Sequence, residues 1–301
     1  MVDTSIVASM YNKNPHTLEI IEKIFIPSIL NNASKKIELI LIDDKSPLSK
    51  ETDELINKFS KDLELKLGNF RYVKNKKNLG FAGSYNEGFK LAKGKFILMT
   101  NDDVYFSKDS IKNLCKTLNS EKNIGAVGPV TNYAASFQNT SLFARLKSYS
   151  QEELERIEKF AANLHDTMQG KKYTPETLIG FCVIYRRSLL KSARYLDVRY
   201  KYGNFEEQDL HERIKKKGYK LILDASVFVE HGGINGGSGS ILQHRFKAIK
   251  HFLMNAFRFA MAQKIFFKLI RVYFIKSYLQ MKDYGFTITK DIIKNSEKNK
   301  K

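Results

Sequence analysis

The stretch Lys95-Phe-Ile-Leu-Met-Thr-Asn-Asp-Asp-Val104 runs apolar for several residues and then closes on two adjacent carboxylates. An uninterrupted apolar run of this length reads as a strand buried on both faces, and such strands belong to sheets covered by helices on either side. The pattern recurs. Ile37-Glu-Leu-Ile-Leu-Ile-Asp-Asp44 is a second apolar run closing on an acidic pair, and Asn204-Phe-Glu-Glu-Gln-Asp-Leu210 is a third acidic cluster ahead of a helical pattern. Open α/β sheets bind ligands at the carboxyl ends of their strands. Acids gathered there, in a chain of net charge +19, call for a cation and a site distinct from the bulk surface.

Read in order, the chain alternates strands and helices through its first 130 residues, which predicts a mainly parallel sheet. Thr4–Met10 is the first strand. Asn14 can cap the next helix with Pro15 at its first position, and Leu18, Ile21, Phe25 and Ile29 fall at helical spacing, with a kink expected at Pro27. A polar helix over 50–61, a strand over 70–73 and a helix from Asn78 to about Ala92 follow. Gly80 and Gly83 permit close backbone approach, but their spacing is not the dinucleotide fingerprint, so a Rossmann dehydrogenase is disfavoured.

Gly125–Val130 and Leu178–Tyr185 are further strands. Between them lies a polar insertion, 131–176, holding a helix from Gln151 to about Met168. A helix Asp209–Lys217 stopped by Gly218, two short strands ending at His231, and a Gly- and Ser-rich loop over 232–240 complete the main body.

Residues 241–301 hold 14 Lys and Arg against 3 Asp and Glu, a net of +11. Leu242, Phe246, Ile249, Leu253, Phe257 and Ala260 form one apolar stripe, and Phe267, Ile270, Phe274, Tyr278 and Met281 a second. No uncharged apolar run approaches the roughly 18 residues that span a bilayer. The tail therefore reads as basic amphipathic helices that pack on the domain, join copies of the chain into a homo-oligomer, or lie on an anionic membrane surface. Nucleic acid is disfavoured as a partner, because no basic stripe interleaves with aromatics. Cys115 and Cys182 lack metal-ligand spacing and read as buried thiols of a reducing compartment. With no basic, cleavable leader pattern after Met1, the expected location is cytoplasmic, or peripheral at the inner face of a membrane.

Asp102 and Asp103 suit a magnesium or manganese ion whose shell is completed by substrate phosphates; the bland alternative is a turn or helix cap. Arg186 and Arg187 can meet a phosphate or stay solvated.

Taken together, Ser5–Asn12, Leu41–Ser46, Asn78–Gly88, Met99–Asp103, Val127–Tyr133, Gly180–Arg187 and Gly203–Leu210 resemble, in order and spacing, the family 2 glycosyltransferases of GT-A fold, over about residues 4–235. The resemblance implies a metal-dependent, inverting transfer of a sugar from a nucleotide diphosphate, with a UDP-sugar as the expected donor and a bacterial glycan, glycolipid or protein as acceptor. It assigns Asp44, with Asp43 beside it, to the base; Ser9, Tyr11, Gly80, Gly83 and Asn86 to the donor pocket; Asp102 to the ribose or diphosphate; and Asp103, with His231, to Mn2+ or Mg2+. The general base maps to Glu207, where the family usually has Asp, with Asp209 in reserve and otherwise an N-cap. Asn101 departs from the frequent Asp-x-Asp pattern.

The chain then divides into a catalytic domain 1–235, made of a nucleotide half 1–130, an insertion 131–176 and an acceptor half 177–235, and a basic tail 236–301. Rival readings are sugar-nucleotide nucleotidyl transfer, which would want a glycine-rich first loop, and a basic module for nucleic acid or anionic membrane.

Overall fold

The computed structural model describes residues 2–134, 138–140, 142–143, 145–200, 204–234, 254–259, 261–262 and 290. Strand β1 (Thr4–Met10) leads to helix α1 (Pro15–Ile20), which passes through a π-helical turn (Ile21–Phe25) into α2 (Ile26–Asn31). Asn14 caps α1 by accepting the Thr17 amide at 3.1 Å. The irregularity expected at Pro27 lies just ahead of it, in the π-helical turn. The wider turn ahead of it restarts the α register, so Pro27 falls in the first turn of α2, where its missing N–H costs no helical bond.

Next come β2 (Ile37–Asp43), α3 (Ser49–Lys66), β3 (Asn69–Lys74), α4 (Gly80–Leu91), β4 (Phe96–Thr100), β5 (Val104–Phe106), α5 (Ser110–Ser120), β6 (Ile124–Val130), α6 (Gln151–Met168), β7 (Lys172–Tyr173), β8 (Cys182–Arg186), α7 (Arg187–Ser192), α8 (Glu206–Lys216) and β9 (Lys220–His231). The sheet runs β3-β2-β1-β4-β8-β6-β9-β5, with β7 also on β9. Strands β3, β2, β1 and β4 are parallel, as the βα alternation predicts. Beyond β4 the sheet becomes mixed: β8 is antiparallel to both neighbours, while β6 and β9 are parallel.

Alternating side chains divide the core between the two sheet faces. Val7, Ile40, Ile42, Ile97 and Met99 pack with α4 and α6, whereas Ile6, Ala8, Leu39, Leu41 and Leu98 pack with α3 and α5. The 131–176 stretch is thus part of the body where it is described, since Ile157, Ala161, Leu164 and Met168 of α6 are buried in the first core.

Several elements differ from the sequence reading. The strand predicted from Leu178 begins at Cys182, and α8 starts at Glu206 rather than Asp209. The two short strands expected before His231 are one twelve-residue strand, β9, whose register on β6 jumps from Asp224 to Phe228 across an irregularity. Arg186 and Arg187 are tied to backbone carbonyls, those of Leu118, Glu121 and Ile124 for Arg186 and that of Gly94 for Arg187, so they brace the fold.

Most of the tail helices lie outside the described residues. In the part described, Asn255, Ala256 and Phe259 are buried while Met254, Phe257 and Met261 face out. The inward stripe predicted through Phe257 is therefore rotated, because Phe259 docks on Phe205 with ring centroids 5.6 Å apart. Among the described residues no helix is long and apolar enough to cross a membrane.

Candidate active site

The acids sit at one edge of the sheet, beyond the carboxyl ends of β1, β2 and β4. Here β8 begins: Thr100 is opposite Cys182, and Phe181 accepts the Asn101 amide at 2.9 Å. On the far side, Val104 is opposite His231 in the β5–β9 pair, which brings the end of β9 beside Asp103.

His231 Nδ1 lies 2.7 Å from the Tyr133 carbonyl, which can only accept, so Nδ1 carries the proton and the lone pair of neutral imidazole is on Nε2. That nitrogen faces Asp103 Oδ1 at 3.4 Å and the Asn101 amide nitrogen at 3.3 Å. Burial works against a charge on His231, yet Asp103, the Tyr133 carbonyl and Glu230 outweigh it and hold its pKa up. The Phe181 ring stacks on the imidazole at 4.7 Å and fixes its plane. Asp103 Oδ1 is buried and forms no well-aligned hydrogen bond, only the long ion-pair contact with His231. With the imidazole neutral, the carboxylate oxygen and the Nε2 lone pair face each other and fit a divalent ion. Among the described residues no group of three or more His, Cys, Asp or Glu gathers as a metal cage, so an ion here would need oxygens from a ligand, as magnesium and manganese often take from phosphates. Asp102 is only partly buried, and burial together with Asp103 pushes it up to about 8.

Asp44 is held differently. Its carboxylate accepts the Leu79 and Gly80 amides at 2.7 and 2.8 Å and the Asn75 side chain at 2.9 Å, which puts a negative charge on the first turn of α4. Gly80 takes φ +71°, a conformation that suits glycine and aims its N–H at Asp44. Asp43 is fully buried and accepts the Ser46 amide and the Tyr72 hydroxyl, so it shapes the turn beneath Asp44. Tyr11 stands exposed at the end of β1. The Ser9 amide donates to the buried Tyr85 hydroxyl, which itself donates to the Thr100 carbonyl at 2.6 Å. Asn86 does not face this pocket: both ends of its amide are bound to the Leu196 backbone, at 2.8 and 3.0 Å, bracing α4 against a distant loop.

Glu207 enters from α8. The Gly180 amide donates to its carboxylate, and burial pushes its pKa up to about 7. Gly180 binds Glu207 while the next residue, Phe181, stacks on His231, so one short segment touches both groups. Tyr85 feels Asp102, Asp103 and Glu207 together, so the clusters converge on it. Asp209 does not cap α8 and is turned from this cluster. Its Oδ2 accepts from both Nη2 and Nε of Arg213, one turn on, at 2.8 and 2.9 Å, and Arg213 also binds the Ala193 and Tyr195 carbonyls.

Glu230 was missed in the sequence, although a carboxylate inside the apolar run Val-Phe-Val-Glu-His was the signal. It is fully buried, accepts the Asn132 amide at 3.0 Å and is pushed up to about 7 by burial. Asn132 also accepts the His231 amide at 2.8 Å, linking Glu230 to the imidazole strand. A cavity of about 660 Å3 lies at the other end of the sheet, among Thr4, Ile37, Phe96, Ile111 and several lysines, and touches none of these acids.

A parallel half-sheet joined to a mixed one, with acids at the seam, is the GT-A architecture of nucleotide-sugar transferases. Solved structures that share it include a mannosyltransferase from Pyrobaculum calidifontis in complex with GDP-Man and Mn2+ (TM-score 0.55, 16% identity, covering 98% of this chain and 86% of that one). Another is S. aureus TarS with UDP-GlcNAc (TM-score 0.57, 14% identity, covering 98% and 81%). Residues 5–194 match the model of the family described as Glycosyl transferase family 2, and the chain belongs to that family.

Two curated relatives match shorter stretches. An uncharacterized glycosyltransferase of Rickettsia felis is 34% identical over 108 residues, 36% of this chain and 16% of that protein. The Escherichia coli UDP-Glc:alpha-D-GlcNAc-diphosphoundecaprenol beta-1,3-glucosyltransferase WfaP is 30% identical over 118 residues, 39% of this chain and 42% of that protein. The chain thus spans less than half the length of either relative.

Proposed function

We propose that this protein is a metal-dependent, inverting glycosyltransferase that moves a sugar from a nucleoside diphosphate, UDP in the first instance, to a hydroxyl of a bacterial glycan, glycolipid or protein. The observation that carries the reading is that the Gly180–Phe181 segment touches both the Asp103–His231 couple and the Glu207 carboxylate, whose pKa of about 7 suits proton abstraction near neutrality. Asp103 and His231 would hold Mn2+ or Mg2+, which when bound neutralises charge on the diphosphate leaving group. The exposed Tyr11 ring and the Asp44 carboxylate would meet the nucleoside, with Asp102 near the ribose or diphosphate. Glu207 would accept the acceptor's hydroxyl proton as that oxygen attacks the anomeric carbon from the face opposite the diphosphate; one displacement inverts the centre.

A lipid-linked acceptor is supported by the activity for which the Escherichia coli relative is named and by the +11 balance of residues 241–301, which suits an anionic membrane surface. The test is release of nucleoside diphosphate over a panel of sugar nucleotides, with and without Mn2+. Turnover should require metal and fall to background in Asp103→Ala and Glu207→Gln. Full activity in both variants would refute the assignment.

A further inference from the structure

The start of α8 is strained. Asn204 and Phe205 both take left-handed backbone angles, φ +79° and +75°, immediately before Glu206 and Glu207. Two such residues in succession are unfavourable, and for an aromatic side chain the conformation is an outlier that persists only when its surroundings impose it.

Those surroundings come from the far end of the chain. Phe259 is fully buried against Phe205, and with Tyr200 and Ala256 the two rings form a small core separate from both faces of the sheet. Asn255, fully buried, donates from its side-chain nitrogen to the Asn204 carbonyl at 3.3 Å. Arg258 donates to the Arg199 carbonyl at 2.7 Å. Three side chains of one short helical segment thus hold the loop that feeds α8, while Met254, Phe257 and Met261 of the same segment point outward.

We propose that the Met254–Phe259 segment is a positioning element for Glu207: its Asn255 and Phe259 lock the left-handed Asn204–Phe205 turn and thereby fix where α8 presents that carboxylate. The proposal rests on the reading of Glu207 as the base. None of the tail side chains touches substrate in this scheme; they act through the turn. Without Phe259, Phe205 is released to an extended backbone, and the first turn of α8, which carries both acids, loses its fixed start.

The experiment uses the full-length protein with three variants, Phe259→Ala, Phe259→Leu and Asn255→Ala, and the outward-facing control Met261→Ala. Phe259→Ala and Asn255→Ala are expected to lower kcat by tenfold or more while donor KM stays within about twofold, and Phe259→Leu should recover most of the loss. Met261→Ala should match the wild type. Hydrogen exchange at the amides of 204–210 should quicken in Phe259→Ala and not in Met261→Ala.

Unchanged kcat in Phe259→Ala, alongside an inactive Glu207→Gln, overturns this proposal and leaves the reading of Glu207 standing. An active Glu207→Gln overturns that reading and with it the catalytic half of this one. Unchanged exchange at 204–210, or kcat loss shared equally by donor KM and by the control, overturns the clamp itself.

Discussion

Gly180 and Glu207 are shaped to each other: the Gly180 amide donates to the Glu207 carboxylate, and a methyl group added at Gly180 would fall inside 3.0 Å of Glu207 Oε1. A glutamate stands here where the resemblance leads one to expect aspartate, and the missing side chain at 180 makes room for the extra methylene. Gly180→Ala should therefore displace the carboxylate. Turnover is expected to drop at least tenfold with nucleotide binding kept, as measured by steady-state kinetics and by the thermal shift with UDP and Mn2+.

Glu207→Gln keeps the shape and removes the base. A loss of roughly a hundred- to ten-thousand-fold in kcat is expected, the range of general-base contributions. In the wild type, the acid limb of the kcat profile should fall near pH 7.

The same shift has a stability signature. A carboxyl whose folded pKa of about 7 lies above its ordinary 4.5 favours the fold below about 4.5, and that contribution is lost as pH rises through about 7. Melting curves of metal-free wild type and Glu207→Gln should coincide near pH 4. At pH 8 the variant should melt higher, by about 2–4 °C for each kcal/mol gained. The reverse order at pH 8 would contradict the buried setting of Glu207.

Asp103→Asn addresses the metal couple apart from turnover. At a hundred times its dissociation constant a ligand adds about 2.7 kcal/mol. UDP with Mn2+ should raise the wild-type melting temperature by several degrees more than UDP alone, and the variant should lose that increment. An increment of equal size in Asp103→Asn would move the metal elsewhere.

Asp209 separates structure from chemistry. Its pair with Arg213 is largely buried, and Arg213 also ties down the Ala193 and Tyr195 carbonyls. Asp209→Asn is expected to cost about 3 kcal/mol, the lower end of the range for breaking buried pairs, while activity per folded molecule stays within a few-fold. Urea unfolding beside active-site titration would check both halves.

The first half of the fold was readable because β1, β2 and β4 are buried on both faces, and β2 and β4 run into carboxylates that cannot be buried unpartnered. Asp44 and Asp103 announced themselves in that way. Beyond β4 the same logic failed. Neither three-residue β5 nor two-residue β7 is long enough to show a period, and β9 read as two strands because Asp224, Ala225 and Ser226 interrupt its apolar run. Asn86 and Asp209 sit inside motif blocks, and nothing local says that Leu196 and Arg213 occupy their polar atoms. Glu230 was visible as a carboxylate in an apolar run but had no partner in the sequence, since Asn132 lies 98 residues away. The left-handed pair at 204–205 left no trace, because neither residue is glycine.

Asp103 and His231 are 128 positions apart and meet only when β9 pairs with β5. Domains form from the N-terminus during synthesis, so the ribosome releases the parallel half-sheet, acids included, well before the imidazole that faces them exists. The carboxylates are made before the imidazole, and β9, by pairing with β5, is the strand that turns them into a site.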